Sequence, residues 1–147
     1  MKTTQLKTLF ISLLFLLSSC EKEKELSDNS FLQKEWKVQS VVNEGKRFVV
    51  PTNTPLKEAY ILKFYNDSCY ALPTSINHGG GKYQLISENS MMISDYSGTI
   101  MGNVSASQSN FDDQLESAFN GLLRYSYTGS KLIFRGEKNN EVVFIKK

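Results

Sequence analysis

The chain is 147 residues long and carries 17 basic and 15 acidic residues. Two of the basic residues, Lys2 and Lys7, lie within the first 19 residues, so the remainder holds equal numbers of basic and acidic side chains. Because no basic stripe or basic-aromatic cluster occurs, we expect no binding to nucleic acid. With two cysteines and one histidine, the sequence also lacks the ligands of a cysteine-built metal centre, and we expect neither a metal nor a cofactor.

Residues 1–19 have the organisation of a secretory signal peptide. Lysines precede an apolar run over 9–17, which is shorter than the about 20 residues of a membrane-spanning helix. The sequence Leu-Ser-Ser-Cys at 17–20 resembles a bacterial lipobox, in which the cysteine receives a diacylglycerol and becomes the new N-terminus after cleavage. The resemblance implies lipidation of Cys20 and membrane attachment through that lipid. We therefore expect an outer-membrane lipoprotein that faces the periplasm or the cell surface.

A charged segment follows the cysteine. Glutamate and lysine alternate over 21–25, and no core-forming pattern occurs before residue 32, which predicts a solvated tether. Alternatively, acidic and lysine residues directly after the cysteine resemble the surface-export signals of some Bacteroidota lipoproteins. The sequence thus predicts a signal peptide over 1–19, a lipidated cysteine with a flexible tether over 20–31, and one folded domain over 32–147.

From Trp36 onward, alternating apolar and polar residues predict mostly β-strands. Asp95 and the glycines at 79–81 predict turns, the two prolines within 50–55 predict a loop, and Gly129-Ser130 predicts a tight hairpin. The predicted strands are 36–42, 60–65, 68–72, 82–86, 91–94, 98–101, 124–128, 131–135 and 141–146.

One segment has helical periodicity instead. Its apolar residues fall on a single stripe, formed by Phe111, Leu115, Ala118, Phe119 and Leu122. Ser109 and Asp112 have the spacing of a capping box, and Gly121 suits a helix end, which predicts a helix near 110–121. Acidic residues at 112, 113 and 116 would then begin the helix and complement its dipole.

These elements together predict a mainly β (α+β) fold. We expect a small, curled antiparallel sheet or a partly open barrel of about seven to nine short strands, with the helix covering one end. The predicted core consists of Trp36, Leu62, Phe64, Phe119 and Phe134.

The order of elements from about residue 32 to the end resembles the META domain of HslJ-type bacterial lipoproteins. The residues that carry the resemblance are Leu32 and Trp36 of the first strand, Asn77, Gly81 and Tyr83 of the central motif, Thr99 and Met101 of a Thr-x-Met group, and the helix-hairpin ending over 119–134. The resemblance implies a small β fold in an envelope lipoprotein, broadly linked to heat and antibiotic tolerance, without enzymatic activity.

The two cysteines of that family fall on Ile76 and Asn103, so the resemblance places these residues close together although they cannot form a bridge. We expect three motif residues to be structural. Tyr83 should pack under the sheet, Gly81 should have a conformation that suits only glycine, and the Asn77 side chain should bond the backbone of a turn.

No segment carries a recognisable catalytic motif. The glycines after His78 are similar to the oxyanion loop of some lipases, but that chemistry needs a Gly-x-Ser-x-Gly elbow, which the sequence lacks. Cys69 and His78 could form a thiol-imidazole pair, although a lone cysteine in a strand pattern is usually a small core residue. We therefore expect no enzyme.

Two functions remain. The first is a non-enzymatic, monomeric envelope lipoprotein that acts in stress or antibiotic tolerance, or through contact with another envelope protein. The second is a small lipocalin-like carrier that holds an apolar ligand inside the curled sheet, because aromatic residues make up 12% of the chain and can fill a core or line a cavity.

Overall fold

The computed structural model describes residues 29–99 and 105–147, so Cys20, Met101 and Asn103 lie outside the described residues. In that part of the chain, a 3-10 helix (Asn29–Gln33) comes first, and one α-helix, α1 (Ala106–Ala118), lies between the sixth and seventh strands. The strands are β1 (Trp36–Asn43), β2 (Lys46–Val49), β3 (Ile61–Phe64), β4 (Cys69–Ala71), β5 (Gly79–Ser87), β6 (Ser90–Gly98), β7 (Gly121–Tyr127), β8 (Lys131–Arg135) and β9 (Glu141–Lys146).

The strands form a closed antiparallel barrel with one additional strand. From β3 to β9 each strand pairs with the next, β3 pairs with β1, and β9 returns to pair with β1 along Trp36–Val42. The predicted fold class is therefore confirmed, with the barrel closed by eight strands. Because β9 occupies one edge of β1, β2 and β3 share the other edge, where β2 pairs with 40–43 and β3 with 36–37.

The 3-10 helix closes the end of the barrel at which β1 begins. Phe31 is fully buried there, and its carbonyl oxygen accepts a hydrogen bond of 2.8 Å from the Trp36 indole nitrogen. The Phe31 ring lies 4.9 Å from the Tyr125 ring and 5.8 Å from the Phe64 ring, measured between centroids. The folded domain therefore includes Phe31, which the sequence analysis assigned to the tether.

Helix α1 covers the opposite end, where β1 ends and β9 begins. The Asn43 side-chain amide at the end of β1 donates a hydrogen bond of 2.7 Å to the Gln114 side chain. The apolar stripe of the helix faces the barrel, since Phe111, Leu115 and Ala118 are all buried. Leu122 was predicted as the fifth residue of that stripe, and this prediction was wrong. Leu122 belongs to β7 and is 55% exposed on the outer face of the barrel.

The helix begins earlier than the sequence pattern indicated. Its N-cap is Ser105, whose hydroxyl accepts a hydrogen bond from the Gln108 backbone nitrogen while the Gln108 side chain accepts one from the Ser105 nitrogen. The predicted capping box at 109–112 was therefore wrong. Since no acidic residue lies in the first turn, Asp112 and its acidic neighbours do not complement the helix dipole as predicted.

Aromatic rings in contact run along the axis of the barrel from one end to the other. The centroid distances along this aromatic column are 4.9 Å from Phe31 to Tyr125, 6.0 Å from Tyr125 to Phe134, 5.0 Å from Phe134 to Phe119, and 5.6 Å from Phe119 to Tyr70. All five predicted core residues are buried, with side chains 8% exposed or less. The interior of the barrel is therefore a packed core.

Two stretches that the sequence predicts as turns, the glycines at 79–81 and Asp95, belong to strands. The glycines at 79–81 begin β5, and β6 continues through Asp95 to Gly98, so neither a glycine turn nor a separate strand over 98–101 occurs within the described residues. Asp95 has a φ of 57° at a register shift between β5 and β6, which allows β6 to continue after an irregularity. The hairpin at Gly129 and the loop over 50–55 agree with the prediction.

Candidate ligand-binding site

A cleft of about 470 Å³ lies on the outer surface of the barrel beside β1 and β3. We call it the lateral cleft. Its wall is formed on one side by the strands and on the other by the loop 50–60, which leaves β2 and returns to β3. The lining residues are Lys37, Val38, Gln39, Val50, Pro51, Thr52, Thr54, Lys57, Ala59, Tyr60, Ile61 and Lys147.

The loop 50–60 covers an apolar part of the outer face of the barrel. Ile61 pairs with the exposed Lys37, yet Ile61 is only 4% exposed, and it lines the same cleft as Val50 and Pro51 of the loop. The chain turns into β3 at Tyr60, which has a φ of 64° and so occupies the left-handed region. Backbone hydrogen bonds from Val38 to Tyr60 (2.9 Å) and from Tyr60 to Pro73 (2.6 Å) hold this turn against the barrel.

The lateral cleft carries positive charge. Lys37, Lys57 and Lys147 line it, and no acidic residue does. The Lys147 amine pairs with Glu35 at 2.8 Å. Among the described residues, Lys37 and Lys57 form no ion pair, so two charges of the cleft are uncompensated.

The acids near the cleft are already paired with other lysines. The Lys63 amine lies 3.0 Å from Glu35 and 3.7 Å from Glu58. Hydrogen bonds from Lys147 and Lys63 lower the pKa of the Glu35 carboxyl below its usual value, so Glu35 is ionised at neutral pH. Glu35 therefore compensates the charge of Lys147, and neither carboxylate lies within 4.0 Å of the amines of Lys37 and Lys57.

A buried carboxylate links the cleft to helix α1. Asp112, which is 7% exposed, accepts hydrogen bonds from the Tyr60 hydroxyl (2.7 Å), the Ser75 hydroxyl (2.5 Å) and the Ser75 backbone nitrogen (3.2 Å). Burial and the bond to Asp112 raise the pKa of the Tyr60 phenol above its usual range, so it remains a donor. The Gln108 side-chain amide adds a second link, because it donates to the Asn53 carbonyl in the loop.

A second polar cluster lies beneath the same helix. Burial, followed by the charges of Asp112 and Asp113, raises the pKa of the Glu116 carboxyl above its usual value. The Tyr96 hydroxyl donates to the Leu72 carbonyl at 3.3 Å, and burial raises the pKa of its phenol. In the described part of the chain, no group of three histidine, cysteine, aspartate or glutamate side chains is arranged to hold a metal ion.

Three of the motif residues, Trp36, Gly81 and Tyr83, make structural contacts. Trp36 is fully buried, and the Tyr83 ring packs 5.0 Å from Phe64 while its hydroxyl donates to the Tyr65 carbonyl at 2.9 Å. Gly81 does not occupy the left-handed region, so its predicted special conformation was wrong. A side chain is excluded there by space instead, since a Cβ atom would lie 2.4 Å from a backbone oxygen of β6.

The other predicted residues lie apart from the cleft. The Asn77 carbonyl accepts a bond of 3.0 Å from Thr74, while the role of its side chain stays a prediction, and Thr99 is exposed. Cys69 is partly exposed at the start of β4 rather than in the core. It pairs with Lys82, four residues beyond His78, which directly precedes β5, so the two residues do not face each other as a thiol-imidazole pair.

The residues of the lateral cleft carry no recognisable signal in the sequence. Its lysines come from β1, from the loop and from the end of the chain, so no local pattern indicates that they share a surface. Asp112 carried a usable signal, because an acid at a position between Phe111 and Leu115 lies beside the buried stripe of the helix. Its partners Tyr60 and Ser75 are distant in sequence and could not be inferred.

Comparison with known proteins identifies the fold alone. The chain resembles an NMR structure of a protein from Burkholderia xenovorans with a TM-score of 0.62 and 12% identity, over 80% of this chain and 85% of that one. It also resembles a second protein solved by NMR, with a TM-score of 0.53 and 14% identity, over 78% of this chain and 90% of that one. Neither the models of protein families nor the curated proteins contain a match. Within the described residues, no helix is both long and apolar enough to cross a membrane.

Proposed function

We propose that the protein is a non-enzymatic binding protein of the bacterial envelope, anchored through Cys20, that holds a small ligand in the lateral cleft. The observation that carries this proposal is the cleft itself, an indentation of about 470 Å³ beside a barrel whose axis is occupied by the aromatic column. Binding pockets for small molecules commonly enclose about 300–1,000 Å³ and combine apolar walls with a few polar groups.

A closed antiparallel barrel is consistent with a lipocalin-like binding protein, which would hold its ligand either inside the barrel or in the outer cleft. An eight-stranded barrel is just wide enough to be filled by side chains or to hold one small ligand. Here Phe134 and Phe119 meet on the axis, and Phe31 and helix α1 close the two ends. We therefore favour the outer cleft over the interior as the binding site.

The absence of a catalytic role is part of the proposal. Asp112 is the buried carboxylate nearest the cleft, and three hydrogen bonds from Tyr60 and Ser75 engage it. A general base must reach the proton that it removes, and a carboxylate held by internal donors is poorly placed for that task.

The cellular setting rests on the lipobox-like residues 17–20 and on the META-like order of elements. Lipidation of Cys20 would hold the barrel at the outer membrane, where a ligand from the envelope or a neighbouring envelope protein could reach the cleft. A role in heat or antibiotic tolerance follows from the family resemblance and is tested by deletion of the gene and growth under both stresses.

The lipid anchor is tested by mass measurement and by a variant of Cys20. Intact-mass measurement of the membrane-extracted protein should show cleavage before Cys20 together with acyl chains, and the variant Cys20→Ala should lose its anchor. A Cys20→Ala protein that remains attached to the membrane would contradict the lipidation.

The binding site is tested by two-dimensional NMR of the soluble, signal-free Cys20→Ala protein, titrated with decanoate, decanol and decyltrimethylammonium. Shifts concentrated at Lys37, Ile61 and the loop 50–60 would support the lateral cleft. Shifts concentrated at interior positions such as Phe134 and Leu132 would favour the interior carrier, and the lack of saturable shifts with every probe would contradict a binding function for this class of ligand.

A further inference from the structure

Resting on the proposed function, we infer that the ligand of the lateral cleft is a free anionic amphiphile, of the class of a medium-chain fatty acid. The cleft presents two unpaired ammonium groups beside a set of apolar side chains.

The lysines that line the cleft favour an anionic ligand. Lys37 lies on β1 and Lys57 on the loop 50–60, so the strand side and the loop side of the cleft each contribute a lysine. Each amine lacks an ion-pair partner among the described residues, and the lining contains no acid. A carboxylate between these lysines would supply the missing charge, whereas a cationic group would meet only repulsion.

The apolar residues that line the cleft favour a ligand with an apolar part. Val50 and Pro51 line the loop wall, and Ile61 lines the barrel wall, whereas the side chains of Val38 and Ala59 belong to the core. Ile61 is on the outward-facing side of β3 and yet only 4% exposed, so an apolar surface shielded from water already lies beside the cleft. Burial of an alkyl chain contributes about 0.8 kcal/mol for each CH₂ group removed from water.

The size of the cleft favours one short chain over a membrane lipid. A volume of about 470 Å³ lies toward the lower end of the range of small-molecule pockets. The loop 50–60 bounds the cleft along one side and ties it to helix α1 through Tyr60 and Asn53. A bounded cleft of this size accommodates one chain and one head group, so we commit to the free acid.

The test compares probes that differ only in the head group. We expect saturable binding of decanoate to the soluble Cys20→Ala protein by NMR and calorimetry, at least tenfold weaker binding of decanol, and no binding of decyltrimethylammonium. Lys37→Gln and Lys57→Gln should each weaken decanoate binding by roughly two- to tenfold and should leave decanol unchanged. The matched control is Lys131→Gln, because Lys131 is an exposed lysine of β8 that does not line the cleft.

The outcomes separate this inference from the proposed function. Equal binding of decanoate and decanol at the cleft would overturn the anionic ligand but leave the cleft as a binding site. Failure of every probe would overturn both. Tight, Lys37-dependent binding of phosphatidylglycerol vesicles without binding of free decanoate would identify a membrane surface as the partner and would overturn the free acid. Equal losses in the Lys131→Gln control would show unspecific charge attraction and would also overturn it.

Discussion

Removal of the Tyr60 hydroxyl tests whether a buried carboxylate fastens the cleft loop to helix α1. In Tyr60→Phe, the ring keeps its edge-to-face contact with Phe111, 5.0 Å between centroids, and only the 2.7 Å bond to Asp112 is lost. A hydrogen bond to a charged group contributes about 1.5–3 kcal/mol. Because Asp112 keeps both donors of Ser75, we expect a loss of about 2 kcal/mol in the free energy of unfolding.

The assay is urea denaturation of the soluble, signal-free protein. With an m-value of about 1–3 kcal/mol per molar, the midpoint of Tyr60→Phe should fall by roughly 1 M. Ser75→Ala should lower it by a similar amount, and the double variant should differ from the sum because both donors bind Asp112. A Tyr60→Phe protein within about 0.5 kcal/mol of wild type, or additive effects of the two substitutions, would refute this account of Asp112.

Three further predictions concern the core, the glycine of β5 and pH. Phe134→Ala should cost about 3–5 kcal/mol in urea denaturation, whereas the exposed Leu122→Ala should cost well under 1 kcal/mol, and similar costs would contradict the packed axis. Gly81→Ala should lower the melting temperature, because its Cβ would lie 2.4 Å from a backbone oxygen, whereas Gly98→Ala, with its nearest contact at 3.4 Å, should not; equal melting temperatures would contradict the close approach. Glu116 has a raised pKa in the folded protein, so its contribution is complete at acid pH and is lost as the pH rises through that pKa. Glu116→Gln should therefore gain stability relative to wild type between about pH 4 and pH 7, and a constant difference would contradict the raised pKa.

The repeating patterns of the sequence predicted most of the fold because they report local burial. Alternation over β1 and the terminal hairpin marks strands with one face in the core, and the stripe of Phe111, Leu115 and Ala118 marks the helix face. That the described chain forms a META domain remains a prediction. The proximity of Ile76 to Asn103 also remains a prediction, because Asn103 lies outside the described residues.

The errors arose where long-range contacts decide local structure. The glycines of β5 carry no strand signal, yet they are required because β6 and Tyr70 approach the backbone closely. Asp95 resembles a turn residue, but in β6 it occupies an irregularity that leaves the strand continuous. Strand β2 is short and exposed, so it has no alternating pattern and is defined only by its pairing with β1.

The lateral cleft follows from the way two strands share one edge of β1. Strand β3 pairs only with Trp36 and Lys37, and β2 occupies 40–43 further along the same edge. Both strands run antiparallel to β1, and β3 starts opposite Lys37, only three residues along β1 from Ser40, where β2 ends. The loop 50–60 is longer than this gap requires, so it extends outward and forms one wall of the cleft, while Ala59 and Tyr60 at its end pack in the core. Substitutions at the exposed loop residues Thr52 and Lys57 would therefore alter the lining of the cleft while the aromatic column remains the same.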